Sequence, residues 1–65
     1  MNATTARHHI INNISDRSVG VHTPKRTEWP EDDVVQWAAK IEDLNGSTGW
    51  AVFDEHYGEV DITWD

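Results

Sequence analysis

Cysteine is absent from this chain, which excludes disulfides and thiolate-bound zinc or iron–sulfur clusters. Long apolar runs are absent too. The N-terminal stretch MNATTARHHIINNIS holds none of the length that a signal h-region or a membrane span requires. The expectation is a cytoplasmic protein, in a host cytoplasm if a phage encodes it, that makes no membrane contact. Asn2-Ala3-Thr4, Asn13-Ile14-Ser15 and Asn45-Gly46-Ser47 fit the glycosylation sequon. With no visible secretory route they read as chance matches in an Asn- and Thr-rich chain. A Gly-rich phosphate loop, a nucleophile elbow and an HExxH helix are all missing. Positive charge is scarce: five Lys and Arg stand against twelve Asp and Glu, a formal charge of −7.

The scarce cations are also segregated. Residues 1–27 carry Arg7, Arg17, Lys25 and Arg26 against Asp16 alone, while residues 28–65 carry eleven acids against Lys40 alone. Crowding of like charge on this scale aids solubility, opposes compaction, and steers a protein toward basic partners and away from nucleic acid.

A chain of 65 residues forms one domain, here 1–65. A domain of this size buries only about 60% of the surface its unfolded chain exposes, and such domains commonly enlist a metal, a disulfide or a second subunit. A homodimer is therefore among the expected states. Four Trp supply large apolar areas that help the chain fold alone.

Along the chain, residues 1–7 show no pattern and are expected to fray. HHIINNI, SDRS and VGVHT read as strand, turn and strand, with a two-residue turn at Asp16-Arg17 pairing Ile14 with Val19 and Asn12 with Val21. The segment PEDDVVQWAAKIEDL has helical period. Val34, Trp37, Ala38, Ile41 and Leu44 fall in one arc and Asp32, Gln36, Lys40 and Asp43 in the opposite one. A helix over about 30–44 follows, with Pro30 at its first position, acids Glu31, Asp32 and Asp33 in its first turn, and Asn45-Gly46 as a left-handed stop. GWAVFDEHYGEVDITWD reads as a hairpin over about 50–64. A three-residue loop, His56-Tyr57-Gly58, places Gly58 at a left-handed position and opposes Val52 to Ile62 and Trp50 to Trp64. That register gathers Trp50, Val52, Val60, Ile62 and Trp64 on the core face. It turns Phe53, Glu55, Glu59 and Asp61 outward, and it keeps Asp54 from facing Glu59. The expected fold is α+β: a small ββαββ domain with a four-stranded antiparallel sheet and one helix packed on one face.

The candidate chemistries are weak. DEHYGEVDITWD has the length of a calcium loop, but His56, Gly58 and Glu59 occupy its third, fifth and sixth positions, where the loop needs oxygen, oxygen and glycine. His8, His9, His22 and His56 lack i,i+4 spacing, and the neighbours His8 and His9 point to opposite sides of a strand, so no preformed metal site is expected. Glu55 and Glu59 could divide acid and base roles only if one were buried, and so small a chain offers little volume for a substrate pocket. No enzyme activity, cofactor or metal is expected, and direct nucleic-acid binding is disfavoured by the acids.

What remains is binding through acids. Solvated charge is the ordinary meaning of surface carboxylates. The first helical turn accounts for Glu31 to Asp33, but it does not account for Glu42, Asp43 or the hairpin acids. The expected function is a small acidic binding protein that inhibits a basic or nucleic-acid-binding protein by occupying its surface. Carboxylates would stand where phosphates otherwise sit. The expected contact residues are Glu55, Glu59, Asp61, Asp54, Asp32 and Asp43, with Phe53 and Tyr57, and Trp29 beside them, as aromatic anchors. In outline alone (tiny, acidic, Cys-free, on no shared motif) the chain resembles small phage or mobile-element proteins that block host nucleases or defence complexes. The alternative is an assembly module that dimerises through a sheet edge or apolar surface, with charge serving solubility.

Overall fold

The structure, a computed structural model, describes residues 1–16 and 18–65. Among these residues it has one helix packed on a five-stranded antiparallel sheet: α1 (Ala3–Asn12), β1 (Gly20–Val21), β2 (Lys25–Trp29), β3 (Val34–Glu42), β4 (Thr48–Asp54) and β5 (Val60–Trp64). The α+β class and the single helix on one sheet face are as expected. The helix, however, lies at the start of the chain, and the order is αβββββ rather than ββαββ.

Ala3 to Arg7, expected without pattern, begin α1, and the segment HHIINNI, expected as a strand, continues that helix to Asn12. Asn2 stands in extended conformation and its side chain accepts from the Thr5 N–H at 2.9 Å, which caps the helix that follows. The Asn13 side chain closes the other end by donating to the His9 carbonyl at 2.8 Å. Ala6 and Ile10, four residues apart, are fully buried on one face. Local capping and that spacing outweigh the β-branched pair Ile10-Ile11. The expected turn at Asp16-Arg17 involves Arg17, which lies outside the described residues.

The expected helix over 30–44 is instead β3 with the loop before it. Two periods compete in VVQWAAKIE. The helical arc needs Leu44 inside, yet Leu44 is 82% exposed. The period of two puts Trp37, Ala39 and Ile41 in the core and leaves Lys40 and Glu42 outside. Turn chemistry at both ends decides for the strand. Before β3, Trp29 to Asp33 form a turn in which the Trp29 carbonyl accepts the Asp32 N–H at 3.1 Å, and Asp33 adopts a left-handed φ of 53°. After β3, the Asp43 carboxylate accepts the Asn45 and Ser47 amides at 2.9 Å each, and Gly46 takes φ 83°. The left-handed glycine was legible; what it ends is a strand.

β3 is the central element. β1 and β2 pair with successive stretches of its one side, separated by His22-Thr23-Pro24, where proline has no N–H for the ladder. β4 pairs along its other side, and β5 adds to β4 as the far edge. The helix crosses β1, β3 and β4. The core it covers is Ala6, Ile10, Val21, Trp37, Ala39, Ile41, Ala51 and Phe53, with Val60 against its border.

The β4–β5 hairpin forms where expected, with a register one residue away. Ala51 faces Ile62, Val52 faces Asp61 and Trp50 faces Thr63. The loop has four residues, Glu55 to Gly58, and Asp54 does face Glu59, its N–H donating to the Glu59 carbonyl at 2.9 Å. The Asp54 carboxylate explains why this is tolerated: it accepts the His56 and Tyr57 amides at 2.8 and 3.1 Å. The Asp54 carbonyl also accepts the Gly58 N–H at 2.8 Å, with Gly58 left-handed at φ 71° as expected. A slip of one residue exchanges the faces of a strand. On β4 the core residues are therefore Gly49, Ala51 and Phe53, while Trp50 and Val52 turn to the helix-free face. Trp64 faces Gly49 across the strands, so the largest side chain lies over the smallest.

Two substitutions test this register. Gly58→Ala forces a side chain into the left-handed region and lowers stability in urea unfolding by about 1–2 kcal/mol. Gly49→Ala costs more, because its new methyl would collide with the Thr63 carbonyl oxygen and lie 3.0 Å from Trp64 Cα. Equal small losses would contradict the close β4–β5 approach.

Candidate functional site

Because β3 and β4 are antiparallel neighbours, the loop before β3 and the loop after β4 emerge at the same end of the sheet. The Glu55 N–H donates to the Val35 carbonyl at 3.0 Å and ties the second loop to the start of β3. Asp33, Val35, Glu55 and His56 line a shallow depression between them. Two segments distant in sequence, PEDD and DEHYGE, thus pool Glu31, Asp32, Asp33, Asp54, Glu55 and Glu59 at one end. Tyr57, 69% exposed, and Trp29, 52% exposed, stand among them. The His56 and Tyr57 rings meet edge to face at 4.7 Å.

The expected contact residues separate on this frame. Asp32, Asp54, Glu55, Tyr57 and Glu59 come together at the acidic end. Asp54 is committed to its own turn. Glu55 points to the helix side and is half-buried, where its Oε1 accepts the Trp37 Nε1–H at 2.6 Å. Glu59 and Asp61 point to the opposite face, so the trio Glu55, Glu59 and Asp61 does not form one outward row. Phe53 is 2% exposed, a core residue rather than an anchor, and the exposed His9 ring stacks on it at 4.7 Å with planes 8° apart. Asp43 caps the β3–β4 loop at the far end of the nine-residue β3, a span of about 25–30 Å from the acidic end.

Reading Val34 to Leu44 as a helix hid this site. Within a helix, Glu31 to Asp33 are explained by the macrodipole; as a hairpin loop they are neighbours of Glu55 and His56. Ile62 and Trp64, expected in the core, lie on the edge strand at 37% and 43% exposure. Edge position is a property of strand order, which no local signal in the sequence encodes.

Electrostatics is local at these exposed sites. Arg26 donates to Glu28 at 2.9 Å, an ion pair beside the acidic end. That hydrogen bond, reinforced by direct attraction, holds the Glu28 carboxyl below its ordinary value and raises Arg26. The Ser18 hydroxyl and amide, at 2.6 and 2.9 Å, likewise lower Asp16. A depressed carboxyl contributes stability above its unfolded pKa and loses it as pH falls through the folded one, so both contributions belong to neutral solution. Among the described residues, no three His, Asp or Glu side chains group to hold a metal ion, and no helix is long and apolar enough to cross a membrane. In comparisons with protein-family models, curated proteins and solved structures, nothing matches this chain.

Two measurements follow. Glu55→Ala leaves the Trp37 indole N–H without its carboxylate partner and lowers stability by about 1–3 kcal/mol, with the Trp37 indole proton resonance displaced in NMR; Glu55→Gln, which keeps an acceptor, costs less. In an NMR titration of the Glu28 side chain, Arg26→Gln moves the midpoint upward toward an ordinary glutamate. An unmoved midpoint would show that Arg26 does not hold it down.

Proposed function

We propose that this protein is a small acidic binding protein that inhibits a basic or nucleic-acid-binding partner by seating its carboxylates on the partner's positive surface. One observation carries the reading. Two loops far apart in sequence gather six acids and two exposed aromatic side chains at one end of a sheet held by continuous antiparallel pairing. Rigid carboxylates of this kind stand in for phosphates without the entropic cost of ordering a loop on contact. Tyr57 and Trp29 supply apolar area among the charges, the usual composition of a binding hot spot. Lys25 and Lys40 lie on the helix-free sheet face rather than within either acidic loop. The net charge of −7 accelerates encounter with a basic surface and repels free nucleic acid.

Assembly through the helix-free face, where Trp50 is exposed, is the competing reading. Light scattering at two concentrations decides it, because a strict monomer removes it.

The binding reading is tested by capture of partners from host lysate at about 0.1 M and about 1 M salt, between which the Debye length shrinks from about 10 to about 3 Å. A basic or nucleic-acid-binding protein is retained at the lower salt and released at the higher. The triple change Glu31→Gln, Asp32→Asn and Glu59→Gln weakens retention at least about tenfold, the loss of a modest charge contribution from each site. Retention that ignores both salt and these substitutions sinks the proposal.

A further inference from the structure

We infer that the free edge of β5 is a docking site for an extended segment of a partner protein in which Lys or Arg alternates with apolar residues. The inference rests on the acidic-binding reading above and names how a basic partner would be held. β5 pairs with β4 on one side and ends the sheet on the other. Two hydrogen bonds fix which backbone groups are free: Asp54 N–H to the Glu59 carbonyl at 2.9 Å, and Asp65 N–H to the Thr48 carbonyl at 2.9 Å. In an antiparallel ladder hydrogen-bonded residues alternate, so Glu59, Asp61, Thr63 and Asp65 bond inward to β4. The amides and carbonyls of Val60, Ile62 and Trp64 therefore face outward.

The side chains divide in the same rhythm. Val60, Ile62 and Trp64 form a row on the helix side, and α1, which crosses β1, β3 and β4, leaves Ile62 and Trp64 exposed. Glu59, Asp61 and Asp65 form a row of carboxylates on the opposite side. This edge carries no Lys, no Pro and no bulge, the usual devices that keep an edge strand from pairing. Its only blunting device is negative charge.

That charge selects the occupant. A second copy is a poor one, because antiparallel self-pairing opposes carboxylates for every twofold axis from Val60 to Thr63. An axis at Val60 sets Glu59 against Asp61, at Asp61 sets that residue against itself, at Ile62 sets Glu59 against Asp65, and at Thr63 sets Asp61 against Asp65. A basic strand reverses the sign of each contact. Its residues opposite Glu59 and Asp61 occupy non-hydrogen-bonded positions, where facing Cα atoms approach to about 4.5 Å and side chains are closest. Its intervening apolar residues extend the row of Val60, Ile62 and Trp64. Main-chain bonds then supply affinity, and the two rows supply specificity.

The test uses the full chain and synthetic peptides of about nine residues, the upper length of common strands. One alternates Lys and Val, one has the same composition in two blocks, and one is the alternating peptide N-methylated at its valine amides. The alternating peptide binds, and amide exchange at Val60, Ile62 and Trp64 slows. The N-methylated peptide binds at least about tenfold more weakly, as the loss of one or more backbone hydrogen bonds requires, and the block peptide, whose side chains no longer match the two rows, is also weaker. Asp61→Asn weakens binding of the alternating peptide and reduces its salt dependence. Ile62→Pro abolishes binding while leaving the fold intact by circular dichroism, since the amide it removes does not bond to β4; should that variant not fold, the N-methylated peptide decides alone. Equal binding of the alternating and N-methylated peptides overturns edge pairing and leaves the acidic-binding reading standing. No binding by any peptide, or a β5-mediated dimer of the free protein, also overturns it. The capture experiment with folded partners then judges the parent reading separately.

Discussion

Trp37 holds the molecule together. It sits in the middle of the central strand, between Arg26 of β2 and Phe53 of β4, with its ring in the core beneath α1. Its Nε1–H reaches past the core edge to the Glu55 carboxylate at 2.6 Å. One side chain thus links the buried face to the loop that carries the acids. A donor to an ionised acceptor is stronger than a neutral hydrogen bond, and partial burial protects it from water. The carboxylate of Glu55 is held in place by a core residue rather than left to wander on a loop.

The rest of the acidic end follows from similar local commitments. Asp54 spends its carboxylate on the amides of His56 and Tyr57, and Asp33 takes a left-handed turn before β3. These acids shape the loops on which Glu31, Asp32 and Glu59 are displayed. Carboxylates that build turns and carboxylates that face solvent therefore belong to one structure, and the negative field at this end is rigid because its own members stiffen it.

Among the described residues, the face opposite α1 and the outer edge of β5 are two surfaces of the sheet without a protein neighbour, and the outer edge formed by β1 and β2 is a third. Lys25, Lys40 and Trp50 moderate the first with mixed chemistry, whereas the second is protected by acids alone. A protein that relies on charge to prevent self-pairing is by the same token receptive to an opposite charge. The edge strand and the acidic end share Glu59, so one partner could engage both.

Some of this was legible in the residues themselves. Gly46 and Gly58 require left-handed backbone, and both occur where the sequence calls for a turn, since that need is local. VFDEHYGEVDI announces a hairpin by its own chemistry, and the α+β class with one helix on an antiparallel sheet is as expected, although the segment that supplied the expected helix is a strand. The identity of that helix did not follow. VVQWAAKIE satisfies both a period of 3.6 and a period of two, and only the presence of β2 and β4 on either side makes the strand the better use of Trp37, Ala39 and Ile41. The one-residue register of β4–β5 was likewise open until the Asp54 carboxylate bonded its turn, which turned Phe53 inward and Trp50 outward. The sequence by itself determined the acidic charge, the left-handed turns at Gly46 and Gly58 and the hairpin at the end of the chain, because these depend on residues and their near neighbours. The tertiary structure alone decided that PEDD and DEHYGE meet and that β5 is an edge, because strand order joins residues whose separation along the chain carries no local signal.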